Sequence, residues 1–173
     1  MPNQLMYTTL ESPIGELLLV GDGTALHRLH MQDGRLRLPI DPRWEARAEP
    51  FADVALELAE YFAGSRREFE TPPAMNGSPF ELRVWQALRL IPYGETVSYS
   101  ELARRIGEPG AARAVGVANA RNPIAVIVPC HRVIGADGSL TGYGGGLERK
   151  RLLLDLESGV LPLVSDAAAA PAA

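Results

Sequence analysis

The apolar runs in the first part of the chain are short and broken by Gly- and Pro-bearing turns; beyond residue 78 they recur at helical spacing. Residues 7–10 and 15–21 read as β-strands separated by the turn Ser12-Pro13-Ile14-Gly15. Gly21-Asp22-Gly23 turns the chain into a third strand over residues 24–30, completing an antiparallel meander. Residues 39–50 have no regular pattern and read as irregular. Residues 51–62 place apolar side chains on one helical face, and Gly64 ends that helix. The stretch from Thr71 to Ser78 is dense in turn residues and predicts a linker.

The second half opens with a stop-start series of helices. Ser78, Pro79 and Glu81 form a capping-box pattern ahead of a helix over residues 80–88, which Ile91-Pro92-Tyr93-Gly94 stops. Ser98 and Glu101 repeat the pattern ahead of residues 99–106. Gly107-Glu108-Pro109-Gly110 then leads into a helix over residues 111–120. Helix, tight Gly-bearing turn, helix is either a DNA-binding helix-turn-helix or an ordinary helical hairpin packed in a core. The second helix carries mostly Ala and Gly at its exposed positions, with one long cation, Arg113, so its backbone can approach a surface closely. The run Ile124-Ala125-Val126-Ile127-Val128 reads as a buried strand, and Gly142-Tyr143-Gly144-Gly145-Gly146 as a flexible loop. Residues 147–157 read as an amphipathic helix, and residues 161–173 as a flexible tail.

Composition changes this picture in three places. The 173 residues are 46% hydrophobic and 22% charged, which suits a globular protein, and no apolar stretch nears the roughly 18 residues of a membrane span. No signal peptide is apparent at the N-terminus, and the expected compartment is the cytoplasm. The formal charge of −4 divides unevenly. Residues 1–76 hold 7 Lys and Arg against 12 Asp and Glu, whereas residues 77–157 hold 10 against 8. The mildly basic half is therefore free to face phosphates.

Cys130 is the only cysteine, so it has neither a disulfide partner nor a resolving thiol. It sits in Pro129-Cys130-His131-Arg132-Val133. A lone thiol beside an imidazole is either a nucleophile with its base or a small buried hydrophobe. One Cys with His27, His30 and His131 makes no familiar zinc spacing, and His27 and His30 read as strand residues.

Taken together, Ile91-Pro92-Tyr93-Gly94-Glu95-Thr96, Tyr99, Arg113, Asn122-Pro123, Pro129-Cys130-His131-Arg132-Val133 and Tyr143-Gly144-Gly145-Gly146-Leu147 resemble the O6-alkylguanine-DNA alkyltransferases. The motifs span about residues 78–157. The resemblance implies an α+β fold: a small N-terminal antiparallel sheet with a helix, ribonuclease H-like, over residues 1–76. A mainly helical domain with a winged helix-turn-helix-like DNA-binding motif follows over residues 77–160. It implies that the protein binds duplex DNA through the minor groove as a monomer, flips an alkylated base and takes the alkyl group onto its own cysteine in a single turnover. The substrate is O6-alkylguanine, with O4-alkylthymine less firmly implied. No cofactor, metal or membrane is implied; the zinc ligands that some members carry are absent.

The resemblance also assigns roles. Cys130 is the acceptor, His131 its base through a water, and Glu157 the carboxylate that orients His131; without the resemblance, Glu157 reads as a solvated helix residue. Asn122 braces the turns around the site, which ordinary turn chemistry also explains. Arg113 fills the gap left by the flipped base or simply meets a phosphate. Tyr99 helps rotate the nucleotide and donates to the guanine, or is a half-buried aromatic. Ala112, Ala114 and Gly116 face the groove, while Tyr143, Gly144, Gly145 and Val128 form the base pocket. The competing functions are a lesion-binding or regulatory module without transfer, and a cysteine hydrolase.

Overall fold

Leu17, Leu18, Leu19 and Val20 are all fully buried, so the strand that carries them must be covered on both faces. In the computed structural model, which describes residues 3–33 and 37–160, this strand is β2 (Leu17–Gly21), at the centre of the N-terminal sheet. It pairs antiparallel with β1 (Met6–Leu10) and with β3 (Leu26–Met31), as the meander predicts. A fourth strand, β4 (Glu45–Ala46), lies in the stretch read as irregular and runs parallel to β1, making the order β3-β2-β1-β4. The sheet is therefore mixed at one edge. A two-residue strand is too short to show a period.

A 3-10 turn (Glu49–Phe51) leads into α1 (Ala52–Phe62), whose buried stripe includes Val54, Leu58, Tyr61 and Phe62. Burying each such side chain contributes about 1.5–3 kcal/mol. The stretch read as a linker is pinned to the sheet: Leu26 N–H donates to Pro72 O at 2.9 Å, and Ala74 N–H to Leu26 O at 2.8 Å.

In the C-terminal domain, α2 (Pro79–Arg89) starts on the expected capping box, with both reciprocal bonds formed between Ser78 and Glu81. The second box closes by half. Ser98 Oγ accepts from Glu101 N–H, but the Glu101 carboxylate turns away to Arg104 and Arg105 one turn on. From this cap run α3 (Tyr99–Arg105), a turn with Gly107 at φ 79, and α4 (Ala112–Ala120). Trp85 Nε1 of α2 donates to Ala118 O at 2.9 Å, fixing α4 from behind.

The run 124–128 is not a strand. Val126 takes φ 70, and the N–H groups of Ile127 and Val128 bond to Ala125 O and Ile124 O. Five buried apolar residues carry no period that separates a strand from a buried turn. Leu29 N–H donates to Pro123 O, and Ala125 N–H to Leu29 O, so this turn is stitched to the edge of β3. Next come a 3-10 turn (Cys130–Arg132), β6 (Val133–Ile134), paired in parallel with β5 (Val97–Ser98), and α5 (Leu147–Glu157). One hydrophobic cluster runs from β1 through to Leu156. The expected tail, 161–173, lies outside the described residues. No helix among those described is long and apolar enough to cross a membrane.

Candidate active site

Cys130 is held by the turns on either side of it. Asn122 Nδ2 donates to Val128 O at 2.7 Å, while its Oδ1 accepts from Ile124 N–H at 3.0 Å. Val128 O also accepts from Cys130 N–H at 2.8 Å. The parallel pairing Val97↔Val133 pins the chain three residues further on. The sulfur is thus placed by backbone bonds rather than by the freedom of a loop.

Cys130 is 6% exposed and lines a cavity of about 250 Å³. The other walls come from Leu29 and Met31 of β3, Asn119 and Asn122, and the loop Gly142 to Gly145. That volume falls just below the roughly 300–1,000 Å³ of drug-sized pockets and suits one planar base. A larger groove, about 520 Å³, runs between α1 and residues 66–72, but neither a cysteine nor a histidine is among the described residues that line it.

Behind the thiol lies a buried ionic cluster. His131 is fully buried, with Nε2 2.7 Å from Glu157 Oε2. Burial alone would raise the Glu157 carboxyl; the hydrogen bonds and charges of His131 and Arg132 hold it far below the usual carboxylate range. An ionised Oε2 makes Nε2 the protonated nitrogen. The lone pair of His131 is then on Nδ1, which is buried and has no hydrogen-bond partner among the described residues. Arg132 clamps Glu157 through Nε to Oε1 at 2.7 Å and Nη2 to Oε2 at 3.0 Å, and also donates to Ile91 O at 2.6 Å. Tyr61 of α1 donates to Oε2 at 2.5 Å.

Burial pushes the Cys130 thiol up from its ordinary value, opposed by the Asn122 amide and the Lys150 ammonium. Burial likewise pulls His131 down, against the pull of Glu157. The resting pair is therefore a neutral thiol and a neutral imidazole. Lys150 is fully buried, its Nζ donating to Val133 O at 2.6 Å and Thr141 O at 2.9 Å. A thiolate formed at Cys130 would sit in the field of this cation.

The structure brings most of the named residues to this region. Tyr99 starts α3 and donates from its hydroxyl to Thr141 O at 3.0 Å, linking the helical pair to the loop over the cavity. Gly116 faces the Tyr99 ring, at 3.7 Å from an added Cβ. Arg113 and Ala114 are exposed on α4 and Ala112 is half-buried; Val117, also exposed, is the one bulky apolar side chain on that surface. Tyr143 lays its hydroxyl near Cys130, buried and without a hydrogen-bond partner among the described residues. Gly145 has no room for a side chain, since a Cβ would strike Met31 Sδ and the Tyr143 ring. Gly144 lies on the cavity rim. Val128 is not brought to the cavity. Its side chain is fully buried, its N–H donates to Ile124 O, and its carbonyl takes two donors, so neither backbone group is free for a base.

Three members of the cluster escape sequence reasoning: Tyr61, Arg132 and Lys150. Only Lys150 leaves a signal, standing in helical register with Leu153 and Glu157 on the buried side of α5. Among the described residues, no group of three His, Cys, Asp or Glu side chains is placed to hold a metal.

Residues 79–159 match the 6-O-methylguanine DNA methyltransferase DNA-binding domain, and residues 5–74 match the ribonuclease-like domain of the same family. The methylated-DNA–protein-cysteine methyltransferase of Mycobacterium tuberculosis is 53% identical over 156 residues, covering 90% of this chain and 94% of that protein. Its counterpart in Methanosarcina acetivorans is 48% identical over 153 residues, covering 88% and 98%. The crystal structure of Mycobacterium tuberculosis OGT in complex with DNA superposes with a TM-score of 0.85 at 52% identity, covering 91% of this chain and 95% of that one.

Proposed function

Because the chain belongs to the 6-O-methylguanine DNA methyltransferase family, a family of DNA repair alkyltransferases, we propose that it moves the alkyl group of O6-alkylguanine in duplex DNA onto its own Cys130. The observation that carries the assignment is the arrangement around the thiol. Cys130 stands at the wall of a base-sized cavity, and His131 beside it is already oriented by Glu157 at 2.7 Å.

The target atom lies inside the duplex, so the base must leave the stack before reaction. The small-residue face of α4 enters the minor groove, and Arg113 fills the space left by the extruded nucleotide. Tyr99 guides the rotation. The base then enters beneath Tyr143, Gly144 and Gly145. Cys130 gives its proton through a water to the free Nδ1 of His131, and Glu157 stabilises the resulting imidazolium. The sulfur attacks the alkyl carbon; a C–S bond forms as the C–O6 bond breaks. The electron pair stays with the guanine, which Tyr99 steadies with its hydroxyl, and the proton taken from Cys130 returns from the His131 imidazolium through water to the guanine, so that no charge is left behind. Lys150 and Asn122 stabilise the thiolate on the way.

The product is a thioether that no residue here cleaves, so each molecule acts once. O4-alkylthymine, a smaller base, fits the same cavity and chemistry. One chain carries every named residue, so a monomer suffices, and a free thiol suits the reducing cytoplasm. Residues 1–76 and 77–160 are read as the two folding domains. Replacing Cys130 by Ala tests the assignment: it abolishes transfer and leaves affinity for lesion-bearing duplex within a few-fold. Transfer that persists in the variant refutes it.

A further inference from the structure

Tyr61 belongs to α1 of the N-terminal domain, on an element remote from the helical pair, yet its hydroxyl reaches the carboxylate behind His131. It is fully buried. Its ring packs edge-on against Phe62 at 5.3 Å and Tyr93 at 6.2 Å, and tilted against Phe69 at 5.4 Å, so a phenyl ring alone would fill the same space. Glu157 does not need the hydroxyl to hold its place, because the Arg132 fork already fixes both oxygens. What the hydroxyl adds is a third donor on Oε2, beside His131 Nε2 and Arg132 Nη2. Donors that share one carboxylate oxygen compete for its charge.

The charged and titratable groups facing this pair come from five segments of the chain. Glu157 is faced by Tyr61 of α1, Tyr93 of the turn after α2, and His131 and Arg132 of the 3-10 turn; the field of Glu157 also reaches Tyr143. His131 is faced by Glu157, Arg132 and Lys150. Glu157 is thus the one anion in the set able to stabilise an imidazolium at His131, and any donor that draws on Oε2 weakens it.

We propose that Tyr61 is a positioning residue of the transfer reaction, through which the N-terminal domain sets, by way of Glu157, how strongly His131 binds the proton of Cys130. This rests on the reading of His131 as the base for Cys130. The sign is determined. Without the hydroxyl, Oε2 pulls harder on the Nε2 proton, the imidazolium is stabilised, and His131 becomes more basic. Transfer requires His131 to be neutral beforehand, so the acid limb of the rate profile moves to higher pH.

The test is single-turnover methyl transfer, with protein in excess over a duplex carrying one O6-methylguanine, measured across the pH range for wild type and Tyr61→Phe. The acid midpoint is expected to rise by about half a pH unit, which is about threefold in rate on that limb. A merely structural hydroxyl would lower the rate uniformly or leave it alone, so profiles with coincident midpoints overturn the proposal. Should Tyr61→Phe fold poorly, site-specific 3-fluorotyrosine at position 61 keeps the ring and strengthens the donor; the midpoint must then fall, and no movement overturns the proposal. If wild type transfers no methyl group at any pH, the reading of Cys130 fails and this proposal with it. If wild type transfers and the midpoints coincide, only the role of Tyr61 fails.

Discussion

Replacing Glu157 by Gln removes one charge from a cluster buried away from bulk solvent. The Glu157 side chain is 1% exposed, and that of its partner Arg132 is 8% exposed. The variant leaves the guanidinium buried with only neutral acceptors, the new amide oxygen and Ile91 O. Deleting one member of a buried ion pair costs about 3–5 kcal/mol. The amide keeps the shape and one acceptor, so the low end, about 3 kcal/mol, applies. For a chain of this length each kcal/mol moves the midpoint by about 2–4 °C, giving a fall of about 6–12 °C at neutral pH. The deficit must also depend on pH in a fixed direction. Glu157 is held far below its ordinary value of 4.5 in the folded state, so its contribution is complete above that value and is lost as pH falls toward the folded value. The gap between wild type and variant should therefore narrow as the pH drops below 4.5. Thermal unfolding followed by circular dichroism at neutral and acid pH measures both. Transfer should also slow by about 10²–10⁴-fold, the usual range for a general base that loses its support. A midpoint within about 2 °C of wild type, or a deficit that stays constant into acid, refutes the reasoning.

The remaining expectations are simpler to state. Lys150→Met removes the buried cation that opposes the upward push of burial on Cys130, so the pH midpoint for iodoacetamide labelling of the thiol rises; an unmoved midpoint removes Lys150 from the account. Affinity for duplex DNA should fall linearly with salt on a log–log plot. Arg113→Ala should reduce that slope by no more than about one while slowing transfer much more than it weakens binding. If binding and transfer fall together, Arg113 is an ordinary phosphate contact.

Local rules explain why some of this was legible along the chain and some was not. Ser78 and Glu81 bond each other within one turn, and nothing nearby competes, so the start of α2 could be read directly. Glu101 has the same spacing, but Arg104 and Arg105 lie within reach of its carboxylate and take it. The run 124–128 is equally apolar as a strand or as a buried turn; the decision rests with Asn122, which bonds across it, and with docking to Leu29. Cys130 and His131 were visible because thiol and imidazole are neighbours in sequence. Glu157 was not, since 26 residues separate it from His131 and its chemistry is that of any helix-end carboxylate; only the family resemblance named it. Tyr61 sits on the same apolar stripe as Val54 and Leu58 and reads as core, which it is, apart from one oxygen. Lys150 stands between Arg149 and Arg151 in a run that reads as a solvated face, and only its register with Leu153 marks it as turned inward. Val128 is the converse case, a residue assigned to the pocket whose backbone groups are already bonded within the turns.

The central claim is that Cys130 accepts the alkyl group, and intact mass spectrometry addresses it most directly. The protein is mixed with an excess of duplex carrying a single O6-methylguanine. The account predicts a gain of one methyl group per molecule, located on the peptide containing Cys130 and unchanged by further substrate. Tight binding to that duplex with no change in mass, or a methyl group on any other residue, would contradict it.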